Sequence, residues 1–409
     1  MLDLSDRFVV PPAPAAELRA FTHGLMPRTV PDLMAGFCAD WAERGVDAWN
    51  RVPDRWGLGH PTGWWMLPEH LADRWVAPLL GATPGSCILQ PNVHWTVQAL
   101  LSCDGPFEGR RRVVMTEGEF PSVRHSAQRW EGLRDLERVE VATRADGTVD
   151  AQAVCDAVTD DTAWVFVSHV GFATGAVLPD AELAAIAQAA HRHGALFCVD
   201  GYHATASVPV DVAAIGADVY VGGLLKEASG SSGNAYLWVR PGLDLRPRLA
   251  GWFADADPFG FRDAPQDHPD VRRRFLAGTT AVASMYHAVE GVRVLLEAGL
   301  PAVRADTLAK GARAIERAED LGVAVLSPRD DERRGAMVVL ALDDADRVVR
   351  WLKTQGLYVD SRRDRVVRLA PWVWNPQEDV DRLFDALGHA LESGEHLAMP
   401  AADAGGPVT

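Results

Sequence analysis

The chain has 409 residues, 48% of them hydrophobic, which is enough to bury a full core and to build one large domain plus a smaller one of a soluble globular enzyme. Its 40 Lys and Arg against 56 Asp and Glu leave a net charge of −16, which argues against nucleic acid or an anionic membrane as the main partner. Five cysteines (Cys38, Cys87, Cys103, Cys155, Cys198) without a C-x-x-C pair read as reduced core residues of a cytoplasmic protein, and the lack of a basic leader or a membrane-length apolar run argues against secretion and insertion.

From about residue 85 to 240, strand-length apolar runs alternate with helical patterns, which predicts a mostly parallel sheet covered by helices. In chain order the runs are Cys87–Gln90, Arg112–Thr116, Ala163–Ser168, Ala195–Val199, Asp218–Val221 and Ala235–Val239. Between the third and fourth, Pro179-Asp180 opens a helical pattern that continues to His193 and is stopped by Gly194. Beyond about residue 285 the spacing predicts helices over Ala288–Ala298 and Ala302–Leu321, short strands over Ala336–Leu342 and Arg365–Leu369, and a closing helix over Glu378–Leu391. This divides the chain into a large domain (45–285) and a small α+β domain (286–395) completed by N-terminal helices before residue 40 (segment 1–44), with a flexible tail over 396–409.

In a mostly parallel sheet the ligand site lies outside the carboxyl ends of the strands, where Asp200, Lys226 and the residues after Gln90 fall. Lys226 follows Asp200 by 26 positions, each just past an apolar run. A carboxylate and an amine delivered from two strand ends suit pyridoxal 5'-phosphate (PLP), whose aldehyde takes the amine and whose ring nitrogen is held protonated by the carboxylate. A single lysine or aspartate is ordinarily a solvated charge, so the pair gains its weight from its setting.

That setting is a series of segments: Asp47-Ala-Trp-Asn50, Gly63-Trp-Trp-Met-Leu-Pro-Glu-His70, Ala77-Pro-Leu-Leu-Gly81, Glu119-Phe-Pro-Ser122, Ser168-His-Val-Gly-Phe-Ala-Thr-Gly175, Asp200-Gly-Tyr-His203, Gly251-Trp-Phe253, Arg274-Phe-Leu-Ala-Gly-Thr279 and Val367-Arg-Leu-Ala-Pro371. Their order and spacing, from about residue 45 to 390, resemble kynureninase, a PLP enzyme of the class V aminotransferase branch of fold type I. The resemblance implies a mostly parallel seven-stranded sheet in the large domain and a homodimer with a shared active site. It implies Lys226 as the lysine bound to PLP, Asp200 as the partner of the pyridine nitrogen, and His203 and Ser168 beside the ring. Phe120 would stack on the ring, and Trp252 would donate its indole N–H to the phosphate. Thr279 would reach the site from the neighbouring subunit, Arg368 would hold the substrate carboxylate, and Trp64 would line the side-chain pocket. Phosphate recognition falls to the turn Asn92-Val93-His94, where a helix begins and offers free backbone N–H groups.

Two positions depart from the pattern. Kynureninases carry a tyrosine immediately before the lysine, implicated in phosphate binding and proton transfer, and this chain has Leu225, which can do neither. The aspartate that follows Phe-Pro-Ser/Thr in the family is Val123. The expectation is therefore a PLP-dependent enzyme that cleaves a Cβ bond of an amino acid, such as the C–S bond of a cysteine S-conjugate in specialised metabolism. The rival readings are a true kynureninase, a decarboxylase, deaminase or transaminase, and a catalytically silent PLP-fold binding protein.

Overall fold

The computed structural model describes residues 2–362 and 364–400. A short strand, β1 (Ala16–Glu17), precedes seven strands that form the main sheet: β2 (Cys87–Gln90), β3 (Arg112–Thr116), β4 (Glu137–Val141), β5 (Thr162–Ser168), β6 (Leu196–Asp200), β7 (Val219–Gly223) and β8 (Ala235–Val239). Their order is β2-β8-β7-β6-β5-β3-β4, and only β8 runs antiparallel to its neighbours. Strands β5 to β8 are apolar along their length because helices cover both faces, so no polar alternation survives.

Six of these strands fall where the apolar runs place them. The seventh, β4, reads Glu-Arg-Val-Glu-Val and has no such run. It is the edge strand and half-buried throughout, and its Arg138 and Glu140 take ion-pair partners from the helix Pro121–Arg134. The helix Asp180–Arg192 forms as its sequence directs: acids in the first turn, His191 and Arg192 in the last, a buried stripe of Leu183, Ile186, Ala187 and Ala190, and Gly194 in the left-handed region (φ 70°) just beyond.

A second, antiparallel sheet of β9 (Ala324–Val325), β10 (Val338–Ala341), β12 (Asp360–Arg362) and β13 (Val366–Leu369), in the order β12-β13-β10-β9, packs on the helices Leu300–Asp320, Ala345–Thr354 and Gln377–Ser393. The remaining strand, β11 (Leu357–Tyr358), pairs in parallel with β1. The N-terminal segment thus joins this layer through a strand rather than through helices. The helix nearest the N-terminus, Val30–Arg44, packs instead toward the main body, where Phe37 meets Trp64 and Tyr286. Its first turn carries Pro31, which sets where the helix starts; the residues before it, rich in proline, form no α-helix.

Two further expectations are corrected. Cys38 lies exposed on the solvent side of the helix Val30–Arg44, whereas Cys87, Cys103 and Cys198 are buried. The segment Glu395–Ala398 forms a tight helical turn with His396 buried, its Nδ1 2.7 Å from the Ala390 carbonyl oxygen, so the expected tail does not begin at 396; residues 401–409 lie outside the described residues. No described helix is long and apolar enough to cross a membrane.

Candidate active site at the carboxyl ends of the strands

The ends of β2, β3, β5, β6 and β7 surround a cavity of about 490 Å³. Asn92, Val93 and His94 close one side, Phe120 and Ser168 another, and Asp200, His203 and Lys226 a third, so eight residues singled out in the sequence converge there. Val170, Phe172, Tyr202, Val123 and Leu225 complete the apolar part of the wall.

Lys226 follows β7, and its Nζ lies 2.6 Å from Nε2 of His203. Burial holds His203 neutral, well below the ordinary histidine range, so its Nε2 accepts and the lysine donates. Burial also lowers the Lys226 ammonium, against the opposing pull of Glu227 and Asp200, which brings the free amine within reach of neutral pH. The Nζ stands 4.9 Å from the centroid of the Tyr202 ring. That ring can lie over the end of β7 because residue 223 is glycine: a Cβ there would come within 2.2 Å of Tyr202 Cζ. From the N-terminal segment, Gly24 donates its N–H to the Leu225 carbonyl at 3.0 Å, and a Cβ on Gly24 would sit 2.2 Å from the Lys226 carbonyl oxygen. The backbone of the lysine is thus clamped by a residue 202 positions away that carries no chemical signal in the sequence.

Asp200 ends β6, where it is 8% exposed. One carboxylate oxygen accepts the Tyr202 N–H at 2.9 Å, and the other has no partner among the described residues. Desolvation pushes this carboxyl up to about 6. Beside it, Glu119 is enclosed under Ser168: it accepts the Ser168 hydroxyl at 2.5 Å, the Ser168 N–H at 3.1 Å and the Thr116 hydroxyl at 2.7 Å. Burial first, with the Asp200 charge adding to it, pushes Glu119 up to about 7. Ser168 is therefore turned to Glu119, a residue quoted in the Glu-Phe-Pro-Ser segment but given no role there. Glu227, adjacent to Lys226, is also buried and raised by desolvation, and its Oε2 has no hydrogen-bond partner among the described residues.

PLP fits this cavity. Asn92 caps the helix Val93–Leu101 by accepting the Trp95 N–H at 2.7 Å, which leaves the N–H groups of Val93 and His94 without acceptors among the described residues and free to receive an anion such as the phosphate. The open oxygen of Asp200 lacks the cation that its burial calls for, which a protonated pyridine nitrogen would provide. Phe120, half exposed and edge-on to Phe172 at 5.3 Å, offers a ring face at the cavity.

Four singled-out residues are not at this cavity. Arg368, on β13, lines an adjoining cleft of about 1160 Å³ that shares Phe172 with it. Its Nε and Nη2 are taken by Asp360 at 3.1 and 3.0 Å, and Nη1 donates to the Phe172 carbonyl at 3.1 Å, so a substrate carboxylate would meet the Nη1/Nη2 end rather than the side of the fork. Trp64 is buried, donating to the Tyr286 hydroxyl at 2.8 Å, and that hydroxyl donates to Asp40. This chain makes Trp64 a core residue bridging to the helix Val30–Arg44. Trp252 donates its indole N–H to the Pro258 carbonyl within a group of exposed aromatics that includes Phe259 and Phe261. Thr279 lines a separate pocket with Gln90 and Trp95, whose side-chain polar atoms are buried without partners among the described residues.

Comparison with known proteins accords with this geometry. A model of the family described as aminotransferase class-V matches residues 96–383. The uncharacterized aminotransferase YcbU of Bacillus subtilis (strain 168) is 29% identical over 313 residues, covering 76% of this chain and 80% of its own. The kynureninase of Pseudomonas fluorescens is 29% identical over 335 residues, 78% of each chain. Among solved structures, the cystine C–S lyase C-DES in complex with cysteine persulfide shares the fold at a TM-score of 0.77 and 18% identity, over 92% of this chain and 98% of its own. The cysteine desulfurase CsdA of Escherichia coli does so at 0.78 and 16%, over 95% and 98%. The matched segment contains Phe120, Asp200, Lys226 and Arg368 together, and the chain belongs to the class-V aminotransferases as a kynureninase-like, PLP-dependent enzyme of fold type I.

Proposed function

We propose that this enzyme cleaves the Cβ–S bond of an S-substituted cysteine by β-elimination, releasing a thiol and, after water hydrolyses the enamine, pyruvate and ammonia. The observation that carries the reading is Leu225 in the cavity wall beside Lys226. Hydrolysis of a side-chain ketone needs a proton donor near that carbonyl, and leucine is none. Elimination from a carbon bearing a good leaving group needs only a base at Cα. When bound, PLP supplies an electron sink for charge at Cα.

In this reading Lys226, its ammonium destabilised by burial, removes the α-proton, and neutral His203 holds the Nζ in position. Asp200 keeps the pyridine nitrogen protonated, and the N–H groups of Val93 and His94 hold the phosphate. The guanidinium end of Arg368 holds the substrate carboxylate. Neither Trp252 nor Thr279 lines this cavity, so their family roles call for a second copy of the chain. The exposed aromatics around Trp252 and the unpartnered polar atoms of Gln90 and Trp95 beside Thr279 support such a homodimer.

Hydrolysis of L-kynurenine to anthranilate and alanine is the second reading, favoured by Tyr202, whose phenol lines the cavity near Lys226. Burial pushes that phenol up to about 12, which makes it a hydrogen-bond donor and a poor acid at neutral pH. Incubating the PLP-loaded protein with S-benzyl-L-cysteine and with L-kynurenine separates the two. Pyruvate and benzyl thiol from the first without anthranilate from the second are expected. Anthranilate without pyruvate would overturn the lyase reading and assign the proton donor to Tyr202.

A further inference from the structure

The cleft beside the Lys226 cavity is cationic in a chain whose net charge is −16. Among the described residues, six arginines line it against Asp146 and Glu182. Three of the six are matched one to one: Arg144 by Asp150 at 3.4 Å, Arg329 by Glu319 at 2.8 Å and Arg333 by Glu182 at 2.5 Å. The others belong to β12, β13 and the turn between them, and they are not matched. Arg362 and Arg368 share the single carboxylate of Asp360, at 2.9 and 3.0 Å, and the Arg365 side chain has no acceptor among the described residues.

The nearby acids do not make up the difference at these three: Asp146, the other acid lining the cleft, accepts the Thr148 N–H and hydroxyl at 2.9 and 2.7 Å and lies in the field of Arg144. Asp364, on the same turn, accepts the Asp346 N–H at 2.9 Å, and buried Asp346 accepts the Ser361 hydroxyl at 2.5 Å; neither lines the cleft. Three guanidiniums therefore face one carboxylate, a surplus of 3 − 1 = 2 positive charges. The surplus is felt at the reacting centre, since both Arg368 and Arg362 weigh on the Lys226 ammonium. An amino acid's own carboxylate at Arg368 offsets one charge. One remains on the side of the cleft where Arg362 and Arg365 stand exposed.

We propose that Arg362 and Arg365 receive a second anionic group at the far end of the substrate's side chain, so that the substrate is an amino acid bearing a carboxylate, sulfonate or phosphate beyond its α-carboxylate. The inference rests on the reading that the Lys226 cavity takes an α-amino acid. Phe172, common to both cavities, lies where such a side chain would pass from one to the other. Arginine suits the task because its planar fork meets oxyanions bidentately and is weakly hydrated.

Two pairs of near-isosteric thioethers test it: S-carboxymethyl- against S-carbamoylmethyl-L-cysteine, and the 4-carboxybutyl against the 4-carbamoylbutyl homologue. Each is titrated into the PLP-loaded protein, and the shift of the visible cofactor band gives Kd without reference to turnover. The anion is expected to bind ~10-fold more tightly in at least one pair, falling to within ~3-fold at about 0.5 M salt. Arg362→Gln with Arg365→Gln should bring the ratio near unity; the exposed Arg365→Gln alone narrows it if the double variant does not fold. Equal Kd values in both pairs, or a preference that survives substitution, would overturn the proposal while leaving the amino-acid site standing. If no thioether shifts the band, the amino-acid reading falls, and this one with it.

Discussion

Two buried aspartates stand at opposite ends of neighbouring strands, and the fold treats them differently. Asp218, fully buried at the entry to β7, accepts from the Phe197 N–H, from His191 Nε2 and from Arg240 Nε, each at 2.8 Å. Asp200, at the exit of β6, accepts one N–H and turns its other oxygen toward a cavity. Burying a carboxylate is costly unless it is paired, so the protein's own groups supply the pairing at one end and leave it incomplete at the other. The missing partner at Asp200 marks where a cationic ligand group belongs, and the raised carboxyls of Asp200 and Glu119 and the lowered Lys226 gather around it.

Lys226→Ala should have the largest effect. Turnover should fall more than ~10³-fold, since the general base is lost along with the covalent hold on the cofactor, and the visible band should go with it. The apoprotein should melt no lower than the parent, because a buried amine has been removed. A variant that kept both band and turnover would place the reacting lysine elsewhere. Next in size are two matched substitutions read by kcat and by denaturant unfolding. Asp200→Asn should cost ~10²-fold or more in kcat with a stability change of about 1 kcal/mol at most. Asp218→Asn should reverse this, costing about 2 kcal/mol of stability because its amide N–H₂ would be buried against the donors of Phe197, His191 and Arg240, with kcat of the folded fraction unchanged. Equal patterns from the two would erase the distinction.

The two carboxyls raised by burial also set a pH dependence. Asp200 is raised to about 6 from an ordinary 3.8, and Glu119 to about 7 from 4.5. Between those values the unfolded chain has lost protons that the folded apoprotein keeps, so these two groups make apoprotein stability fall as pH rises from about 4 to 7. A protonated ring nitrogen facing Asp200 favours its charged form and removes that loss. The difference in Tm between PLP-loaded protein and apoprotein should therefore widen from pH 5 to pH 7, and part of the widening should vanish in Asp200→Asn. A gap that stays constant across this range in the parent would mean that Asp200 does not face a cation.

Much of the sheet and half of the site were legible because two simple signals coincide. Fully buried strands read as unbroken apolar runs, and the residues just past them fall at the carboxyl ends, which is how Asp200, Lys226 and the turn at Asn92 come together. The edge strand β4 was hidden by its charges, which serve ion pairs across the edge rather than solvent alone; the alternation of Val139 and Val141 was the available signal. Glu119 and Glu227 were passed over because a carboxylate in a sequence gives no sign of its burial. The clamp of Gly24 on the lysine backbone depends on a contact across 202 residues that no local pattern encodes. Trp64 was placed by likeness to a motif, and it was a hydrogen bond to Tyr286, invisible in the sequence, that assigned it to the core.

Aromatic rings divide in the same way as the carboxylates. Phe197, the second residue of β6, is fully enclosed, and replacing it with alanine should cost about 3–5 kcal/mol of stability through lost burial and the cavity left behind. Phe120 is 45% exposed, touching Phe172 edge-on and otherwise facing the cavity, so the protein derives little of its stability from that ring. Phe120→Ala should change unfolding free energy by about 0.5 kcal/mol. It should weaken cofactor retention by roughly 5- to 10-fold, the size of one lost aromatic stacking contact. Dialysis against a PLP-free buffer, followed by the visible band, measures the second effect directly. A stability loss as large as that of Phe197→Ala, with cofactor retention intact, would make Phe120 an ordinary packing residue and leave the ring face of the cavity to Phe172 or Tyr202.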